Sequence, residues 1–343
     1  MKRRWVAPLL ALGVGIMSAC AGGEASAPSD GGTTVEIFGP FRGVEAELLA
    51  ASLEPFEETT GIDIRYTGTG AFIPDLEAQR RAADPPDIAL IPQPGVVAEL
   101  AASGELAPLS AETLAGLDMN YSDQARALAD VDGIATGVPF QLSLKSLVWY
   151  RPDVFEQHGL TVPQTLGELT ALVEELQAEG VTPWCLGIEA QAATGWVATD
   201  WTEEMVLRLA GPETYDAWIE GVTEFADSSI AESYEAFREI ALVPGRSAGG
   251  IPGILRTSHQ TSPLGLFGDS PECLMHRQGS FVINSMPPDL EFGPEGDIHF
   301  FEFPGMSADE AAPLLVGSVL AVAFDDRPEV AAVMTHLADP SST

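Results

Sequence analysis

Apolar positions along the chain switch repeatedly between two periods. Residues 34–38 form a β-branched and aromatic run that predicts a strand. Val44, Leu48, Leu49, Leu53 and Phe56 then follow helical spacing, with Pro55 expected to kink the helix near its end and Gly61 to stop it. Ile62, Ile64 and Tyr66 alternate, which predicts a second strand. A strand, a helix and a strand in that order seed a parallel sheet with helices on its faces.

The alternation continues. Residues 87–91 read as a buried strand after Pro85-Pro86, and residues 96–102 as a helix that Gly104 can cap. Residues 146–150 read as another strand. Thr165 and Glu168 have the spacing of a capping box, followed by the stripe Leu166, Leu169, Leu172, Val173 and Leu176 and by Gly180 at the helix end. Residues 201–237 are helical in pattern, with a break at Gly211-Pro212. Residues 243–263, rich in Gly, Pro and Ser, predict a loop. Residues 280–284, 299–303 and 314–324 predict strands, and residues 328–337 a helix. The class is α/β, without internal repeats.

The N-terminus decides the compartment. Lys2, Arg3 and Arg4 precede an apolar stretch, residues 5–17, too short to span a bilayer comfortably. Ser18 and Ala19 then lead into Cys20. That order resembles a bacterial lipoprotein signal over residues 1–19, with Met17 where such signals usually have leucine. It predicts lipid on Cys20 and anchoring at the outer face of the cell membrane. A plain secretory signal with a coincidental cysteine is the alternative. Residues 20–33, dominated by Gly, Ala, Ser and Pro, read as a flexible tether.

Removing 19 of the 343 residues leaves 324, enough for about two domains. The formal charge of −35 becomes −38 without Lys2, Arg3 and Arg4, and Lys145 is then the only lysine. Such a surface repels nucleic acid and anionic lipid. Of three cysteines, Cys185 and Cys273 remain besides Cys20. Two are too few for a zinc site, and the nearby His276 does not complete a ligand set. A disulfide is therefore expected in an oxidising compartment, worth ~4 kcal/mol on the chain-entropy model. No metal and no cofactor is expected.

Several segments together resemble the extracellular solute-binding proteins of bacterial ABC importers, the family that includes maltose- and α-glucoside-binding proteins. They are Glu57-Glu58-Thr59-Thr60-Gly61-Ile62, Pro86-Asp87-Ile88-Ala89, and Gly137-Val138-Pro139-Phe140 followed by residues 145–152. More specific is the block Thr182-Pro183-Trp184-Cys185-Leu186-Gly187-Ile188-Glu189, continued by Gly195-Trp196-Val197-Ala198-Thr199-Asp200-Trp201. With Pro271-Glu272-Cys273 and Met275-His276-Arg277-Gln278, it is similar to the α-glucoside branch. Val316-Gly317 and Asp326-Arg327-Pro328-Glu329-Val330 resemble the return crossover between lobes.

The resemblance implies a two-lobe, periplasmic-binding-protein-like fold with a hinge and an interlobe cleft. Residues 34–141 and 314–343 would form lobe 1, and residues 142–313 lobe 2. It also implies that the C-terminal part of lobe 2 is missing from a chain of this length, which puts ligand binding in doubt. The expected function is capture of an oligosaccharide, an α-glucoside above all, for delivery to permease subunits. A monomer without enzymatic activity is expected.

Sugars need flat aromatic faces for their C–H surfaces and planar polar groups for their hydroxyls. Trp184, Glu189, Trp196, Asp200 and Trp201 supply both in one stretch. Each tryptophan reads equally as a core residue, since Trp is usually mostly buried. Phe41, Arg42 and Glu45 follow the first strand, where open α/β sheets place ligands. Phe140 and Gln141 at the proposed hinge, and Gln278 near the expected disulfide, complete the candidates. Lys145 reads as a structural or hinge contact.

Two other classes compete. A secreted carbohydrate-active hydrolase needs paired carboxylates, and 51 acidic residues supply pairs by chance. Gly245-Arg246-Ser247-Ala248-Gly249 has the letters of an esterase elbow but lacks the strand–turn–helix setting. A surface lipoprotein that binds no sugar predicts no concentration of tryptophan and acid. Gly68-Thr69-Gly70 follows a strand but lacks the third glycine of a dinucleotide site.

Overall fold

The computed structural model of the chain describes residues 33–340; the signal, Cys20 and nearly all of the tether lie outside the described residues. Strand β1 (Thr34–Gly39), helix α1 (Val44–Thr60) and strand β2 (Asp63–Gly68) form the expected unit, with β1 and β2 parallel from Thr34 opposite Asp63 to Gly39 opposite Gly68. Helix α1 runs on through Pro55 to Thr60 and stops at Gly61, whose φ of 73° places it in the left-handed region. Helix α2 (Phe72–Arg81), which the sequence reading did not find, leads to β3 (Ile88–Ile91) and α3 (Pro94–Ser103). Strand β3 is buried along its whole length because helices cover both faces of the sheet.

Helices α4 (Ala111–Asn120) and α5 (Asp123–Ala127) and the hairpin of β4 (Asp130–Val131) and β5 (Ile134–Ala135) precede β6 (Val138–Leu144). The chain then passes directly into β7 (Leu147–Tyr150), which belongs to another sheet. Next come α6 (Pro152–Gln157), α7 (Leu166–Ala178), α8 (Trp196–Leu209), α9 (Pro212–Ile219), α10 (Ser228–Phe237) and α11 (Gly250–Arg256). Strands β8 (Met275–Arg277) and β9 (His299–Glu302) follow, and then β10 (Val316–Ala323) and α12 (Pro328–Leu337).

Two expectations are corrected. Residues 280–284, read as a strand, lie in a short 3₁₀ helix (Ser280–Ser285) that pairs with none of the sheets. Residues 243–263, read as a loop, contain α11, which begins where Gly249 and Gly250 take positive φ of 68° and 58°. Glycine can turn the chain there at no steric cost, and Pro252 is tolerated in the first helical turn.

The five-stranded sheet has the order β2-β1-β3-β10-β6, with β10 antiparallel to both neighbours. Side-chain alternation sends Val35 and Ile37 to one face, against Leu49 and Leu53 of α1 and Val330 and Leu337 of α12. Phe38, Leu320 and Val322 face the other way, against Phe72 and Leu76 of α2 and Leu100 of α3. The second lobe is built on the sheet β8-β7-β9 and a separate core around Trp184, Trp201, Phe237 and Phe303. Its helix α7 buries the expected stripe, and Thr165 Oγ1 accepts the Glu168 N–H at 3.1 Å. The Glu168 carboxylate reaches one residue beyond the cap and accepts the Gln164 N–H at 2.7 Å.

The lobes are joined where two chain segments cross side by side. The Lys145 N–H donates to the Leu315 carbonyl at 2.7 Å, and the Leu315 N–H donates to Ser146 Oγ at 2.7 Å. The fold is a two-lobe α/β fold with a hinge and an interlobe cleft. The bond between Cys185 and Cys273, with Cα atoms 5.2 Å apart, ties the segment before α8 to the segment entering β8.

Candidate ligand-binding cleft

Helix α8 begins at Trp196 because Gly195 adopts a φ of 111°, which turns the chain into the helix without a side-chain cap. The Trp196 ring, partly exposed, meets His259 edge-on at a centroid distance of 5.2 Å and Phe281 at 5.8 Å. His259 is held by its own neighbour: its N–H and its Nδ1 both contact the Glu189 carbonyl, at 3.1 and 3.2 Å. Burial pushes the His259 imidazole below its ordinary value; the Glu189 carbonyl opposes that shift and Arg42 adds to it. Lobe two thus presents an aromatic cluster with a neutral imidazole in it.

Lobe one presents Arg42 and Glu45 at the start of α1, just beyond the carboxyl end of β1. The loop after β2 approaches closely. A Cβ on Gly70 would lie 2.1 Å from Gln191 Oε1, across the cleft, and 3.2 Å from the Arg42 guanidinium carbon. Gln191 itself has a positive φ of 55°, uncommon for a residue with a side chain, and its N–H donates to Glu189 Oε1 at 2.8 Å. Burial raises the Glu45 carboxyl above its usual range, while the Asn284 side chain from lobe two and the Arg42 charge draw it back. Planar hydrogen-bonding groups from both lobes therefore converge beside an aromatic surface.

The sequence candidates separate into two sets. Arg42, Glu45, Glu189 and Trp196 border this convergence. Phe41 is buried in the lobe-one core beside them, its N–H donating to the Tyr66 hydroxyl at 2.7 Å. Trp184 and Trp201 are 0% exposed, packed edge to face at 5.0 Å in the core of lobe two, so they offer no surface to a ligand. Asp200 is buried and its Oδ1 accepts from Lys145 Nζ at 2.8 Å. Gln278 is buried and pairs with His276 Nε2 at 2.8 Å. Phe140 and Gln141 lie on β6; Gln141 is paired with Val319, and Phe140 lines a cavity of about 320 Å³ with Tyr121 and Leu337.

A larger cavity of about 650 Å³ lies beside Arg151, His158 and Cys273, away from every cleft residue named above. Its size does not make it the site, because no aromatic side chain lines it besides the His158 imidazole. Sequence reasoning missed Gln191, His259, Phe281 and Asn284. The signals were faint: His259 stood in a predicted loop, and Phe281 and Asn284 in a predicted strand. Among the described residues no group of three or more His, Cys, Asp or Glu could hold a metal ion, and no helix is long and apolar enough to cross a membrane.

A profile of the bacterial extracellular solute-binding proteins matches residues 41–250. The chain belongs to that family. It is 38% identical over 325 residues to the osmoprotective compounds-binding protein GgtB of Synechocystis sp., a match covering 94% of this chain and 76% of that protein. It is 36% identical over 318 residues to the alpha-glucosides-binding periplasmic protein AglE of Rhizobium meliloti, covering 90% of this chain and 69% of that protein. Among solved structures it resembles the bacterial solute receptor AcbH, with a TM-score of 0.72 and 20% identity over 89% of this chain and 76% of that one. The maltose-bound MalE3 of T. maritima gives 0.67 and 16%, over 88% and 76%. These two structures support the fold alone. Family membership makes the chain an extracytoplasmic solute-binding receptor of an ABC importer, not an enzyme.

Proposed function

We propose that the cleft captures a neutral sugar, an α-glucoside or a sugar-like osmoprotectant of similar size, and that the receptor delivers it to permease subunits from a lipid anchor on Cys20. The observation that carries the reading is the convergence of the Trp196–His259–Phe281 cluster with Arg42, Glu45, Gln191 and Asn284 from two lobes. A pyranose has an apolar C–H face and a rim of hydroxyls. The rings match the first, and planar amide, guanidinium and carboxylate groups match the second, leaving few polar atoms unpaired. The names of GgtB and AglE agree with such a ligand.

Isothermal titration of the purified protein against maltose, trehalose and sucrose tests it. At least one sugar should bind, and both Trp196→Ala and Arg42→Ala should weaken that binding at least ~10-fold, about 1.4 kcal/mol. Binding indifferent to both substitutions would remove the site. For the anchor, Cys20→Ala should move the protein from the membrane fraction to the soluble one or leave it unprocessed; unchanged fractionation and cleavage would remove that part.

A further inference from the structure

We propose that Lys145 is a positioning residue, a hinge clasp whose reach to Asp200 sets how far the two lobes close. Lys145 and Ser146 are the two residues between β6 of one sheet and β7 of the other. The Lys145 N–H is bonded to Leu315 of the returning segment, so the clasp starts where both crossings touch. Its side chain then passes over Gly317 of β10: a Cβ there would lie 2.4 Å from Lys145 Cε and 3.3 Å from Cδ. The ammonium ends on Asp200 Oδ1 at 2.8 Å, inside lobe two. Asp200 Oδ2 has no hydrogen-bond partner among the described residues, so Lys145 carries the compensation of a buried carboxylate.

Ser146 makes the parallel connection one turn further along the same helix. Its Oγ donates to the Glu204 carboxylate at 3.0 and 3.1 Å, and Glu204 is closed by Arg208 at 2.7 Å and Arg277 at 2.6 Å. Trp196, Asp200, Glu204 and Arg208 are spaced by four and therefore form one stripe along α8. That stripe begins in the cleft and ends beneath the hinge. A rigid helix registered to the crossing at two successive turns cannot rotate with lobe two unless the Lys145–Asp200 pair stretches or its stem slides on Gly317. Removing the clasp therefore broadens the range of hinge angles and lowers the fraction of molecules poised to bind, which raises the apparent Kd in proportion.

The inference rests on the reading that the lobes close on a sugar, and its test has a ligand-free arm. Small-angle scattering of the ligand-free protein should show a larger radius of gyration for Lys145→Met and for Gly317→Val, the latter displacing the stem without touching a charge. Sugar affinity should fall ~10-fold in both, mainly through slower apparent association as the poised fraction shrinks, and Lys145→Arg should recover most of it. The double variant Lys145→Met with Asp200→Asn separates clasp from stability. It relieves the unpaired carboxylate, so its melting temperature should recover while scattering and affinity stay altered. Wild-type scattering for Lys145→Met and Gly317→Val, or a double variant that regains the wild-type conformation along with its stability, would overturn the clasp. A wild-type protein that binds no sugar defeats the proposed function, while the scattering comparison still decides the clasp.

Discussion

The two ends of helix α8 make opposite use of the same residue types. At the first turn Trp196 is partly exposed, its ring against His259 and Phe281 of the same lobe. Five residues later Trp201 is fully buried, stacked on Phe237 at 5.3 Å with the Arg277 guanidinium 5.7 Å from its ring centroid. Asp200, which in sequence looked like an acceptor for hydroxyls, serves Lys145 instead, and Glu204 one turn further serves Ser146, Arg208 and Arg277. The helix thus carries a recognition end and a structural end. Tryptophan and acid identify neither end by themselves; what decides is the neighbour that covers them.

Breaking the structural end should have the largest effect. Trp201→Ala should cost about 3–5 kcal/mol in urea unfolding, through lost burial and the cavity left behind. Trp196→Ala should stay within about 1 kcal/mol of wild type in the same assay while losing sugar affinity. Equal losses of stability in both would erase the contrast. Glu204→Gln should come next, at about 3 kcal/mol, because it leaves the Arg208 and Arg277 charges buried with one neutral acceptor between them. A melting temperature unchanged in that variant would mean the ion triad contributes little.

A smaller effect should appear in the pH profile. His276 is fully buried, with Nδ1 2.6 Å from the Cys185 carbonyl, and burial holds its imidazole below the ordinary value of 6.5. Its folded-state affinity for a proton is therefore lower than in the unfolded chain. The stability this represents is complete above pH 6.5 and is lost as pH falls through the lower folded value, by at most about 1.4 kcal/mol per pH unit. Glu45 and Glu203 act in the opposite sense: burial raises both, so their contribution is complete below the ordinary value of 4.5 and is lost as pH rises through the raised values. In chemical unfolding across pH 4.5 to 7.5, the stability of His276→Gln relative to wild type should rise as pH falls below 6.5, because the variant no longer carries this acid-side loss. The smallest effect belongs to Thr165→Ala, which removes the cap of α7 and should cost about 1 kcal/mol without altering sugar affinity.

Much of the fold was legible because long periodic segments constrain the chain locally. Residues 166–178 show a five-residue apolar stripe behind a capping threonine, and α7 formed there. The strand read at residues 34–38 became β1, and the helix read at 328–337 became α12, since burial on one or both sides leaves a clear pattern. Residues 280–284 misled because Phe281, Val282 and Ile283 have strand composition, yet they pair with no strand and coil into a 3₁₀ turn. Half the candidate site was legible in the same way. Arg42 and Glu45 could be placed by their position after the first strand, and Trp196 by the concentration of tryptophan and acid around it. Gln191, His259 and Asn284 could not, because each matters only through what stands opposite it.

The sequence by itself determined the elements whose periodicity is strong, the alternation that makes an α/β sheet, the one cysteine pair of the described chain and the family resemblance. These follow from local sterics and from which faces must leave water, and both are written in residue order. Only the tertiary structure decided which tryptophans face the cleft, which acids are consumed by internal cations and where Lys145 ends. Those outcomes depend on the approach of segments 55 and 169 residues apart, Lys145 to Asp200 and Ser146 to Leu315. Burial and pairing are properties of such contacts, and a side chain carries no mark of them until the chain has closed on itself.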